Sequence, residues 1–184
     1  MSIPRVARTR LVTTENDNMA MKSLGDLYVH FLRDILYAEK QALRAVRSMQ
    51  RKAEAEDLKA FFAEEREQSD PEFDNLQKIF DELDRSARGV RCEAMDGIVE
   101  ESKEIMDEAQ DGPTRDAAMI AASQAMKHYM ITRYGTLAAW AKQLGYQDAA
   151  KLFKANLDRN VAADKKLTAL AEMHLNREAD KLAA

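Results

Sequence analysis

From Ser23 onward, apolar residues recur at three- and four-residue steps through almost the whole chain. Leu24, Leu27, Tyr28, Phe31, Ile35, Ala38, Ala42, Ala45 and Met49 make a first stripe of about seven helical turns. Ser23, with Asp26 three residues on, is a natural cap for it, and the helix is expected to end between Lys52 and Glu56. A second stripe opens near Asp57 and carries Leu58, Phe61, Phe62, Leu76, Ile79, Phe80 and Leu83. Pro71 interrupts it. Proline lacks a backbone donor, so a kink is predicted there, or a restart with Asp70 as cap.

The stretch D-R-S-A-R-G-V-R (Asp84 to Arg91) ends the second helix and opens a crossover. A short amphipathic helix from Cys92 to about Ala109 follows, with Met95, Ile98, Val99, Ile105 and Met106 on its apolar side. D-G-P-T-R-D (Asp111 to Asp116) is a strong break, and Thr114 is the expected cap of a third long helix. That helix should stop at Gly145, in the position a left-handed C-cap favours. The fourth begins near Gln147 and runs through Leu152, Phe153, Leu157, Val161, Leu167 and Leu170 past Met173.

Four long helices, with a longer middle connection that holds its own helix, predict an all-α chain. The arrangement is that of a ferritin-like four-helix bundle with an additional short helix in the crossover between helices 2 and 3. The bundle is expected over 22–177, between an N-terminal tail (1–21) and a C-terminal tail (178–184). The first tail holds three arginines without the apolar segment of a secretory signal, so a solvated arm is expected.

Composition agrees: 46% hydrophobic and 33% charged residues, with 6 Gly and 3 Pro, suit long amphipathic helices. The net charge is −4 with both signs interspersed, which gives no basic face for nucleic acid. No apolar run reaches the ~20 residues of a membrane span. A single cysteine, Cys92, excludes an intramolecular disulfide and a cysteine zinc site, and fits a reducing compartment such as the cytoplasm.

Candidate chemistry lies where ionisable residues enter the stripes, because bundle sites are built from carboxylates and histidines that project inward. Glu39 is four residues after Ile35, and Glu65 follows Phe61 and Phe62 by four and three. On the third helix Ala121, Gln124, His128, Ile131 and Gly135 share a face, with Lys127 beside it. On the fourth, Leu152, Asn156, Asn160, Ala163 and Leu167 share one, flanked by Arg159 and Asp164. Spacing alone leaves each of these open. Glu39 serves equally as a flank residue paired with a lysine, and a lone histidine such as His128 is more often a core residue than a ligand.

Five blocks carry a resemblance: Y-A-E-K-Q (Tyr37 to Gln41), C-E-A-M-D-G-I-V-E-E (Cys92 to Glu101), R-D-A-A-M-I-A-A (Arg115 to Ala122), H-Y-M-I-T-R-Y-G-T-L (His128 to Leu137) and A-K-Q-L-G-Y (Ala141 to Tyr146). In this order they resemble the YciF-type ferritin-like family. The resemblance implies a cytoplasmic, stress-associated bacterial bundle, usually a homodimer, whose members often look built for a dinuclear metal site. It makes Glu39, Glu65, Glu67, His128 and Asp164 the metal-ligand candidates. Glu65 stands where the family usually has a histidine, and Lys127 and Met130 stand where it has glutamates. Arg159 falls in what is a glutamate run on the family's fourth helix.

A cation brought close to a metal position repels the metal; at 4 Å and an effective dielectric of 20 two unit charges interact by ~4 kcal/mol. Lys127 and Arg159 are therefore expected to replace the metal's charge beside Glu39 and Glu65. This predicts no cofactor and a structural or partner-binding role. The rival reading is an iron- or manganese-dependent oxidoreductase acting on peroxide or oxygen with a reduced ligand set; iron storage is a third and weaker one.

Overall fold

The computed structural model describes residues 21–181. Four long helices, α1 (Leu24–Lys52), α2 (Glu56–Glu82), α4 (Gly112–Gln143) and α5 (Gln147–Leu170), are accompanied by the shorter α3 (Glu93–Glu108). The last helix continues through a wide π turn (Ala171–Leu175) into α6 (Asn176–Asp180). No strand occurs among the described residues. Of the segments expected as tails (1–21 and 178–184), 1–20 and 182–184 lie outside the described residues, whereas 178–180 are helical and belong to α6.

Local chemistry sets the ends. The Ser23 hydroxyl accepts from the Asp26 amide at 3.1 Å and donates to the Asp26 carboxylate at 2.8 Å, so α1 starts where the sequence predicts. At the head of α4 the cap is Asp111 rather than Thr114: the Asp111 carboxylate accepts from the Thr114 amide at 2.8 Å, and Pro113 occupies the first turn. Gly145 takes φ +87°, the left-handed conformation that ends α4.

Pro71 does not restart α2. The helix is continuous from Glu56 to Glu82, and Pro71 lies on its exposed side while Ser69, Glu72 and Leu76 stay buried. Burial of that face holds the helix through the one missing backbone bond. The head of α2 has no side-chain cap of its own. Asp116 supplies one from α4: its buried carboxylate accepts from the Glu54 amide at 3.0 Å and the Ala55 amide at 2.7 Å.

The helices close a ring, with α1 against α2 and α4, and α5 against α2 and α4. Tyr28, Leu32, Ile35, Phe62, Leu76, Ile79, Phe80 and Phe153 fill its interior, each almost wholly excluded from solvent. Side chains of this size contribute roughly 1.5–3 kcal/mol each when buried. α3 covers α1 and α4 from outside, and the crossover is tied down by Val90 N–H to the Arg33 carbonyl (3.1 Å) and Tyr37 OH to Asp96 (2.9 Å). Gly89 makes that approach possible, since a Cβ there would sit 3.1 Å from the Tyr37 Cβ.

The inward face of α4 is not the one its spacing suggested. Met119, Ile120, Ser123, Met126, Met130, Tyr134 and Leu137 are buried, whereas Ala121 and His128 are exposed. The alanine-rich run carries little apolar area, so the methionines and Tyr134 decide which side turns to the core. This rotation also carries Lys127 inward.

Candidate functional site

Polar side chains from all four long helices meet inside the bundle. α1 contributes Glu39; α2 contributes Glu65, Glu72 and Asn75; α4 contributes Lys127 and Tyr134; α5 contributes Asn156, Arg159 and Asn160. Glu65 and Glu72, and likewise Lys127 and Tyr134, are seven residues apart on one helix face. Asn156 and Asn160 are four apart and fully buried. Glu39 and Glu72 are only 8% and 7% exposed.

Each carboxylate meets a donor. Tyr134 OH donates to Glu39 Oε1 at 2.6 Å. Lys127 Nζ forms an ion pair with Glu65 Oε2. Asn160 Nδ2 donates to Glu72 Oε1 at 3.2 Å. A second layer holds the donors in place: Asn75 Nδ2 donates to Asn156 Oδ1 at 2.8 Å, Arg159 donates to the same oxygen at 3.1 Å, and Asn156 Nδ2 reaches the Glu72 carbonyl at 3.4 Å.

The electrostatics follow from crowding three carboxylates in a largely buried interior. Burial, opposed in part by the Tyr134 hydrogen bond and by the Lys127 charge, raises the pKa of Glu39. Burial and the neighbouring Glu39 charge push Glu72 up to about 8, against the pull of Lys127 and Arg159. For Lys127 burial disfavours the ammonium, but Glu65, Glu72 and Glu39 outweigh it and hold the pKa above the ordinary lysine value. Burial and the Glu39 and Glu72 charges raise Tyr134, so its phenol is a hydrogen-bond donor and not an anion.

The other candidates fall elsewhere. Glu67 lies on the exposed face of α2. His128 is two-thirds exposed, with Nε2 3.2 Å from Asp164 Oδ1, and Asp164 also accepts from Gln124 at 3.1 Å. His128 and Asp164 thus form a separate pair on the α4–α5 surface, while Glu39, Glu65, Lys127 and Arg159 share the interior. Glu72, Asn75 and the donor role of Tyr134 are absent from the sequence reading. The signal for Glu72 was present: it stands seven residues after Glu65 and four before Leu76. Among the described residues no group of three or more His, Cys, Asp or Glu side chains is arranged to hold a metal ion.

A second polar knot lies where α3 begins. Tyr129 OH donates to Asp34 Oδ2 at 2.8 Å, accepts from Arg133 Nε at 2.9 Å and lies 2.9 Å from Cys92 Sγ. The Arg133 guanidinium also stacks over Phe31, 4.3 Å from the ring centre. Burial raises the Cys92 thiol above its usual range, although the Tyr129 contact opposes this, so the cysteine packs as a neutral group.

Comparison with known proteins places this architecture. The family model described as "Domain of unknown function (DUF892)" matches residues 23–180. Protein YciF of Escherichia coli (strain K12) is 38% identical over 166 residues, 90% of this chain and 100% of that protein. The crystal structure of the E. coli stress protein YciF superposes with a TM-score of 0.80 over 85% of this chain and 99% of that one. YcfI of Rhodopseudomonas palustris, described as a candidate structural protein, superposes at 0.78 with 38% identity, over 80% and 94% of the two chains. A Xanthomonas campestris protein at 17% identity shares the fold, with a TM-score of 0.69 over 88% of this chain and 100% of that one. With the match running almost from end to end of the bundle, the chain belongs to the YciF-like DUF892 family.

Proposed function

We propose that this chain is a ferritin-like helical dimer of the bacterial cytoplasm. Its interior carboxylates are held by a lysine and by neutral donors rather than by metal, and it serves stress physiology by docking a protein partner. The observation that carries this reading is the Lys127–Glu65 ion pair at the centre of the carboxylate cluster.

The donor set does not fit a pair of metal ions. Hard divalent cations need several carboxylate oxygens free to turn toward them. Here one oxygen of each inward carboxylate is taken, by Tyr134, Lys127 and Asn160 respectively. The Lys127 ammonium stands among them as a fixed positive charge. His128, the histidine candidate, points to solvent with Asp164. No redox step is assigned to the cluster.

The stress association rests on the E. coli relative, which is described as a stress protein. Among the described residues no helix is long and apolar enough to cross a membrane.

Metal analysis of protein purified without chelator, combined with light scattering, tests the proposal. Iron and manganese far below one ion per chain, and a particle of twice the chain mass, are expected. Near-stoichiometric iron or manganese that disappears in Glu39→Ala would replace this reading with an iron- or manganese-dependent oxidoreductase. A monomer would remove the dimer.

A further inference from the structure

A cavity of about 140 Å³ opens between α2, α4 and α5, on the solvent side of the Lys127–Glu65 pair. By volume it compares with cavities that take up a molecule of about six heavy atoms. Ala162 and Ala163 give it room, since neither fills the space between the helices. Two of the ion pairs in its wall are closed: Lys166 donates to Glu64 at 2.6 Å, and Lys127 is held by Glu65.

Arg159 and Glu72 are the exceptions. The Arg159 guanidinium makes one hydrogen bond, to Asn156 Oδ1, and forms no ion pair among the described residues. Four of its five N–H groups are thus available. Glu72 uses Oε1 for Asn160, and Oε2 has no hydrogen-bond partner among the described residues. The two are close enough for each charge to influence the other, yet they line the same cavity without closing an ion pair. A guanidinium normally meets a nearby carboxylate in a bidentate pair. Here the guanidinium donates to Asn156 and the carboxylate accepts from Asn160 instead.

We propose that this cavity is a binding site for a small zwitterion of the α-amino acid class, its carboxylate on the Arg159 guanidinium and its ammonium on Glu72 Oε2. A ligand with both charges satisfies both groups at once. A simple anion leaves Glu72 unpaired beside it, and a simple cation meets Arg159 and Lys127. Lys166 and Glu64, paired at the rim, restrict the length of side chain that fits. This site goes beyond the structural role proposed above, and it stands whether or not the chain is dimeric.

The test is calorimetric titration of the full chain with glycine, L-alanine and L-serine, with acetate and methylammonium as one-ended controls. It is run in buffer above pH 8, where Glu72 is ionised. Saturable binding of the amino acids, at least about tenfold tighter than either control, is expected, since two charge-assisted contacts act together. Arg159→Gln and Glu72→Gln should each weaken it by about tenfold. Ala162→Leu, on the exposed side of α5, should block it while the melting temperature is unchanged. Absence of saturable binding would overturn the site. So would acetate or methylammonium binding as tightly as L-alanine, or unchanged affinity in all three variants.

Discussion

The side chains of Lys127 on α4 and Glu65 on α2 are paired inside the bundle, 16% and 13% exposed respectively. The lysine carries its charge into the interior because its seven-residue neighbour Tyr134 and the adjacent Met126 and Met130 turn that face of α4 to the core. Its field also reaches Glu39 and Glu72. Arg159 acts on the same two carboxyls, yet burial outweighs both cations and keeps the Glu39 and Glu72 pKa values raised.

Removing it should cost more than the pair itself is worth. Lys127→Met leaves Glu65 desolvated without its cation, and a loss of roughly 3 kcal/mol is expected. Adding Glu65→Leu should recover most of that loss, because the second charge then no longer needs a partner. Urea unfolding of the two single variants and the double variant measures the coupling. Single and double variants of equal stability would show that the pair is not what holds these charges.

The raised pKa of Glu72 fixes the sign of a pH dependence. Unfolded, a glutamate releases its proton near its ordinary value of 4.5; folded, Glu72 keeps it to about 8. Between these values the folded state binds more protons, so stability falls as pH rises through the window and levels off above it. Glu39, raised by burial, adds in the same direction. Lys127, raised above the ordinary lysine value of 10.5, changes stability only above that pH, outside the window. Glu72→Gln should flatten the slope, matching the parent near pH 5 and exceeding it near pH 9 by a few kcal/mol. Urea midpoints at the two pH values decide it; parallel profiles for parent and variant would place the proton elsewhere.

Two buried tyrosines should respond in opposite ways to the loss of their hydroxyls. Tyr134 OH serves Glu39 at 2.6 Å, so Tyr134→Phe strips a buried carboxylate of its donor and should cost about 1–3 kcal/mol. Tyr28 is fully buried, with its ring stacked 5.7 Å from Tyr146, and its hydroxyl has no partner among the described residues. Tyr28→Phe removes an unsatisfied group without loss of packing and should be neutral or stabilising by up to ~1 kcal/mol. Thermal melts of both variants check the contrast.

The helices were legible because burial imposes a period on long segments, and the caps at Ser23 and Gly145 are local chemistry. Of the two outcomes expected at Pro71, a kink or a restart, the restart does not occur, because the buried face of α2 outweighs one backbone bond. The site was legible only in part. Glu39, Glu65 and Lys127 could be named from the chain, yet the inward face of α4 depends on whether alanines or methionines fill the core, and spacing does not say. Glu72 was hidden by its place one residue past Pro71, in a stretch read as an interruption. The π turn at Ala171–Leu175 left no signal that periodicity detects.

If the lysine and arginine stand where metal charge would be, restoring acids there should restore the demand for metal. Met130 is 1% exposed and lines an interior cavity together with Glu39, Glu65 and Lys127. Lys127→Glu, Met130→Glu and Arg159→Glu combined would replace two cations and one thioether with three carboxylates beside Glu39, Glu65 and Glu72. Without metal these charges repel one another in a medium that screens them poorly, so the variant should melt well below the parent. Mn²⁺ or Fe²⁺ should raise its melting temperature and be retained through desalting, since the ion then binds the folded state alone. The parent should show neither effect. A triple variant that retains no more metal than the parent would mean that the second-layer amides, Asn156 and Asn160 above all, exclude the ion as firmly as the lysine does.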